Sequence, residues 1–117
     1  LEEAPSAYSL KYTISVRGMA HRWGPVSQLC QQLSSVFSVG VSANLYCTPI
    51  GSQGFTVHFD DHCVFAHQLE GAKCWTISQR PVASVPALYS SRFTPTPQQI
   101  GLTWSSTQYS GGILYLP

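Results

Sequence analysis

The stretch "GFTVHFDDHCVFAHQLEGAKCW", residues 54–75, holds three of the chain's four histidines, three of its five acids and two of its four cysteines. Its first part alternates. Phe55, Val57 and Phe59 fall on one side of an extended chain, and Thr56, His58 and Asp60 on the other. This alternation, with its β-branched and aromatic content, predicts a strand over "FTVHFD". Such a strand presents an imidazole and a carboxylate two residues apart on one face, which is what two ligands of a 2-His-1-carboxylate iron site need. By itself a His-x-Asp pair is more often a hydrogen-bonded pair than a metal site. A helix would instead bring His58 and His62 to one face, with Cys63 and His67 nearby, as for zinc. The alternation speaks against that helix, and Cys63 and His67 complete no familiar zinc spacing. Asp61 is expected to be a loop acid.

Working outward, "VFAHQLE" and "KCWTIS" read as two more strands, with Gly71 marking a tight hairpin between them. Upstream, "SANLYCTPI" is a short strand ended by Pro49, and "GSQG" is a turn. "SLKYTISVRGM" alternates, with Tyr12, Ile14 and Val16 on one face. Between these two strands the period changes. Val26, Leu29, Cys30, Leu33 and Phe37 sit at helical spacing, and Pro25 suits the first helical position. The spacing predicts one amphipathic helix over about residues 25–37, closed by Gly40. Barrel strands are expected from about residue 42 onward. "RPVASVPALYSSRFTPTPQQIG" reads as a long irregular connection, and "LTWSSTQYSGGILYLP" as a turn at Gly111-Gly112 followed by a buried strand, Ile113 to Leu116. One helix and several short strands predict a mainly β fold, a barrel or sandwich.

The 117 residues suffice for one domain. Charged residues are only 9% of the chain, far below the usual quarter. Either the lineage has this composition, or much of the surface is covered by a partner or by further chain. The net charge is +1 and the six Lys and Arg are scattered, so no basic stripe points to nucleic acid. No apolar run approaches the roughly 20 residues of a membrane span. The four cysteines form no C-x-x-C pair, and buried free thiols in a reducing, intracellular compartment are the expectation.

Residues 42–77, "SANLYCTPIGSQGFTVHFDDHCVFAHQLEGAKCWTI", resemble the JmjC-domain 2-oxoglutarate- and Fe(II)-dependent oxygenases, and most of all their ribosomal-oxygenase branch of histidyl and arginyl hydroxylases. The resemblance rests on Asn44, Tyr46, Thr48 and Pro49, on Ser52, Gln53, Gly54 and Phe55, on His58 and Asp60, and on Gln68, Gly71, Lys73 and Trp75 at the family's offsets. It extends over roughly residues 10–117. It implies a double-stranded β-helix, a cupin-like barrel carrying the N-terminal helix, so that residues 1–117 form a partial JmjC domain. His58 and Asp60 match the first two iron ligands, and Lys73 matches the lysine that pairs with the far carboxylate of 2-oxoglutarate. Without the resemblance Lys73 reads as an ordinary solvent-facing strand lysine. Asn44, Tyr46 and Thr56 are weaker candidates for lining the pocket and could equally be satisfied barrel polar groups. Phe55, Phe59, Phe65 and Trp75 are expected in the core.

The family's third ligand is a histidine five residues beyond the proline of Leu-Tyr-x-Pro, and this chain stops at Pro117. His21 matches no ligand position. A barrel ending there would leave strands unpaired, so the expectation is a fragment apparently truncated at its C-terminus. The other reading is a domain whose oxygenase function has lapsed. The resemblance therefore implies a protein hydroxylase with Fe(II) and 2-oxoglutarate as cofactors and a protein substrate, such as a ribosomal protein. A catalytically silent module inside a large assembly is the alternative, and a demethylase is a third reading. Dimerisation is left open.

Overall fold

The structure is a computed structural model, and it describes residues 9–80 and 95–117. It is mainly β, with few helices, and it divides into two compact units that meet in sequence between Thr56 and Val57.

In the first unit, β1 (Ile14–Val16) pairs antiparallel with β2 (Leu45–Cys47), with Ile14 opposite Cys47 and Val16 opposite Leu45. Thr13 and Thr48 extend the pairing through their hydroxyls, 3.0 Å apart. Tyr12 lies outside the strand and is exposed, so only Ile14 and Val16 of the expected face are half-buried. A 3-10 turn (Met19–His21) leads to α1 (Gly24–Phe37). The helix begins as its sequence requires. Trp23 is extended at the N-cap and Pro25 occupies the first turn, where its missing N–H breaks no bond. The end differs from expectation. Ser38, not Gly40, takes the left-handed turn at φ 56°, and Ser34 Oγ accepts from the Val41 N–H at 3.0 Å. Cys30 is buried and Val26 and Leu33 are half-buried, while Leu29 and Phe37 are exposed. The face in contact is therefore i, i+4, i+7, narrower than the five-residue stripe.

In the second unit, β3 (Val64–His67) pairs antiparallel with β6 (Ile113–Leu116), and β4 (Ala72–Ser78) with β5 (Thr103–Tyr109). A single helical turn, α2 (Pro97–Ile100), precedes β5. It carries a capping box in which Gln99 N donates to Thr96 Oγ1 and Thr96 N donates to Gln99 Oε1. The expected irregular connection thus contains this turn, and its residues 81–94 lie outside the described residues.

The expected β3–β4 hairpin is not formed. The two strands lie in different ladders, and Gly71, at φ 70°, turns the chain from one to the other. The register explains why. His67 faces Ile113 and Ala72 faces Tyr109, so residues 68–71 span the corner on one side and only residues 110–112 on the other. One extra residue on the β3–β4 side makes this corner a bulge, which bends a ladder. The corner is closed by backbone bonds. Gln68 N donates to Gly112 O, Gly111 N to Gln68 O and Ser110 N to Gly71 O, all within 3.0 Å. The extra residue also changes which side chains face inward. Val64 and Ala66 are the half-buried residues of β3, and Lys73, Trp75 and Ile77, with the terminal Ser78, those of β4.

Two further expectations fail. Residues 55–60 are bends and irregular chain and form no strand: they belong to none of the described ladders, and alternation alone makes no sheet. β6 is a strand but not a buried one. Leu114 and Leu116 face inward, while Ile113 and Tyr115 are exposed. Among the described residues the sheets are three two-stranded ladders, without the closed barrel that was expected. The four cysteines are free, and only Cys30 is buried.

A Cβ at Gly112 would lie 2.9 Å from Tyr109 O and 3.1 Å from Gln108 Cγ, whereas one at Gly71 would meet nothing within 4 Å. Gly71→Ala is expected to cost about 1–2 kcal/mol through its positive φ alone. Gly112→Ala must move backbone and is expected to cost about 1–3 kcal/mol, the larger loss in a denaturant titration of the two variants. Equal midpoints would contradict the bulged corner.

Candidate metal centre

His58 and Asp60 come together. Nε2 of His58 lies 3.9 Å from Oδ2 of Asp60, and both side chains are partly exposed. Neutral imidazole and carboxylate bind a divalent metal at about 2.0–2.2 Å, so two neighbouring ligands of one ion stand about 3 Å apart. The observed 3.9 Å is within about 1 Å of that spacing. The pair therefore fits a shared metal ion, although the continuous strand expected to present it is absent.

The next two residues make a different pair. Asp61 Oδ1 is 2.8 Å from His62 Nδ1. That hydrogen bond holds the Asp61 carboxyl below its ordinary value, and both side chains are well exposed. His67 sits on the exposed face of β3 opposite Ile113. The helix that would bring His58 and His62 to one face does not exist. Among the described residues no three His, Cys, Asp or Glu side chains gather at one point.

Lys73 lies on the inward side of β4, opposite Gln108 of β5. Its Nζ stands over the Trp75 ring, 4.5 Å from the centroid. Residues two apart on a strand share a face, which is why the ring and the ammonium meet. Burial pushes the Lys73 pKa down from its ordinary 10.5. Among the described residues it makes no ion pair with a carboxylate. Its partial burial therefore carries a desolvation cost that no carboxylate among the described residues offsets.

The weaker candidates lie in the first unit. Asn44 Oδ1 accepts from Gly18 N at 3.1 Å, which ties β2 to the 3-10 turn and gives Asn44 a structural task. Tyr46, on β2, packs edge-on against Phe55 with centroids 5.2 Å apart. Thr56 is exposed where the first unit ends. Phe55 and Phe65 are about half exposed rather than core, and Phe65 pairs instead with Tyr115 on the outer face of β3 and β6. Phe59 and Trp75 are half-buried.

Gln108 was not apparent from the sequence. It is 9% exposed, and its carboxamide makes three hydrogen bonds. Only the β4–β5 register places it opposite Lys73, and a lone Gln in "WSSTQYS" carries no signal of that.

The JmjC domain family matches residues 8–117. The bifunctional lysine-specific demethylase and histidyl-hydroxylase NO66 of Dictyostelium discoideum is 41% identical over 95 residues, which are 79% of this chain and 18% of that protein. The protein of the same name from Drosophila melanogaster is 36% identical over 91 residues, 77% of this chain and 14% of that protein. The one from Drosophila persimilis is 42% identical over 69 residues, 59% and 10%. The chain thus spans less than a fifth of the length of these relatives. No solved structure matches it.

The Lys73 shift has a sign that can be tested. Its folded-state pKa lies below its unfolded one, so between those values the unfolded chain binds more protons. Stability therefore rises with pH in the window just below 10.5, and the burial cost is fully present at neutral pH. Lys73→Met is expected to be no less stable than the parent at about pH 7 and to lose the alkaline rise, by denaturant midpoints at about pH 7 and pH 10. A destabilised variant that keeps the rise would contradict this environment.

Proposed function

The chain belongs to the JmjC domain family, and on that premise we propose that it carries part of the site of a 2-oxoglutarate- and Fe(II)-dependent protein hydroxylase. The supporting observation is the approach of His58 to Asp60 in the same unit as a half-buried Lys73 that makes no ion pair with a carboxylate among the described residues.

His58 and Asp60 would hold the iron, together with a third ligand that none of the described residues supplies. When bound, iron and 2-oxoglutarate would together activate O₂, one oxygen atom entering a substrate C–H bond and the other entering succinate as the co-substrate loses CO₂. The protein's part is placement. Asp60 contributes a negative charge that offsets the metal's, and His58 a neutral nitrogen. Lys73 would receive the far carboxylate of 2-oxoglutarate through a charge-assisted contact. The face of the Trp75 ring keeps water from one side of the ammonium. The fold proposed is a double-stranded β-helix completed around these ladders. The substrate is a protein side chain. A histidine is the proposed target, since the relatives' name includes histidyl-hydroxylase beside lysine-specific demethylase; a ribosomal protein as its carrier is what the resemblance implies. The low content of charged residues, 9%, favours a second reading, a JmjC fold retained as an interaction module.

Anaerobic titration of the full-length protein with Fe(II) and 2-oxoglutarate separates the two. The expected result is 2-oxoglutarate binding that depends on iron. His58→Ala or Asp60→Ala should abolish iron binding, and His62→Ala should leave it intact. Lys73→Ala should retain iron and weaken 2-oxoglutarate by about 10- to 100-fold, the worth of one charge-assisted contact. Absence of 2-oxoglutarate binding with iron present would leave the interaction module as the reading.

A further inference from the structure

Gln108 belongs to β5, yet its side chain reaches into the other ladder. Nε2 donates to Ala66 O of β3 at 2.6 Å and to Gly112 O at the corner at 2.8 Å. Both acceptors are main-chain atoms, so the carboxamide is held by the backbone itself. Its remaining atom, Oε1, accepts from Trp75 Nε1 at 2.9 Å. An indole has one polar hydrogen. Fixing it sets the direction in which the ring's face points, and Lys73 Nζ stands over that face. The contacts therefore run unbroken from the main chain of β3, through the amide and the indole, to the ammonium.

This matters because lysine is a point charge on a flexible four-carbon stem. A stem that wanders must be ordered each time an anion binds, and that ordering weakens the complex. An indole locked in one orientation offers the ammonium a fixed resting place. Gln108 also faces Lys73 directly across the β4–β5 ladder, so the two side chains emerge on the same side.

We propose that Gln108 is a positioning residue: acting through Trp75, it holds the Lys73 ammonium ready for the carboxylate of the co-substrate. The assignment rests on the reading of Lys73 as the carboxylate receptor, and its test includes a readout that does not need the co-substrate.

In the full-length protein, lysines are ¹³C-methylated reductively and the Lys73 signal is assigned by its loss in Lys73→Arg. The ring current of Trp75 should shift that signal away from those of exposed lysines, and in Gln108→Met it should return toward them. With iron bound, Gln108→Met should weaken 2-oxoglutarate about tenfold, in line with one lost hydrogen bond, and leave iron affinity unchanged. Trp75→Phe, which lacks the N–H, should do the same, and the double variant should be no worse than either single one. If Gln108→Met fails to fold, Trp75→Phe decides, and undiminished 2-oxoglutarate affinity there overturns the proposal. An unmoved Lys73 signal in Gln108→Met, or additive losses that include iron affinity, also overturns it. Absence of 2-oxoglutarate binding in the unsubstituted protein would overturn the co-substrate reading instead, and the Lys73 signal still decides whether Gln108 positions the ammonium.

Discussion

A single extra residue at one corner governs what the second unit presents inside. Residues 68–71 face residues 110–112, four against three, where β3 and β6 give way to β4 and β5. Side chains alternate along an extended chain, so one added residue exchanges the two faces beyond it. Had the chain kept the alternation of Val64 and Ala66, then Ala72, Cys74 and Thr76 would lie inward and Lys73 would face solvent. The bulge puts Lys73, Trp75 and Ile77 inward instead. On the partner side no residue is added, and Ser106, Gln108, Leu114 and Leu116 keep one parity throughout. The corner's backbone groups are paired with each other, and the Gln108 amide ties both ladders to it. A fully satisfied buried amide of this kind specifies one arrangement, because any other leaves its donors unpaired.

The charge chemistry follows from that parity. An ammonium turned toward a half-buried face loses water, and its pKa falls accordingly. The cost is tolerable only if something else returns, and the Trp75 ring returns part of it. A bound carboxylate would return far more. Asp61 and His62 satisfy each other at an exposed position, where such a pair has little influence on the fold. Two histidine–aspartate pairs therefore stand within five residues. The pair with adjacent members is closed on itself. The pair separated by one residue is held at a distance that leaves room for a metal ion.

Much of this was legible in the sequence. The helix start at Pro25, the strands around Leu45, Val64, Ala72 and Ile113, and the His58–Asp60 pair were read from spacing and alternation. The resemblance added the family, which a match across residues 8–117 bears out. The errors share one cause. Alternation reports which residues could share a face, while pairing decides whether a strand exists and where it goes. Residues 55–60 alternate but belong to no ladder among the described residues, and Gly71 turns the chain between ladders rather than within a hairpin. The stripe on α1 was drawn too wide, since Leu29 and Phe37 are about half exposed. Gln108 was invisible because its importance depends wholly on register.

The most direct examination of the account is a crystal structure of the full-length protein grown with Mn(II) and 2-oxoglutarate under anaerobic conditions. The account predicts one metal ion bound by both His58 Nε2 and an Asp60 carboxylate oxygen at about 2.0–2.2 Å, with Lys73 Nζ within about 3 Å of the co-substrate's distal carboxylate. A metal held by His62 and Asp61 instead, or a Lys73 side chain turned out to solvent with the co-substrate in place, would contradict it.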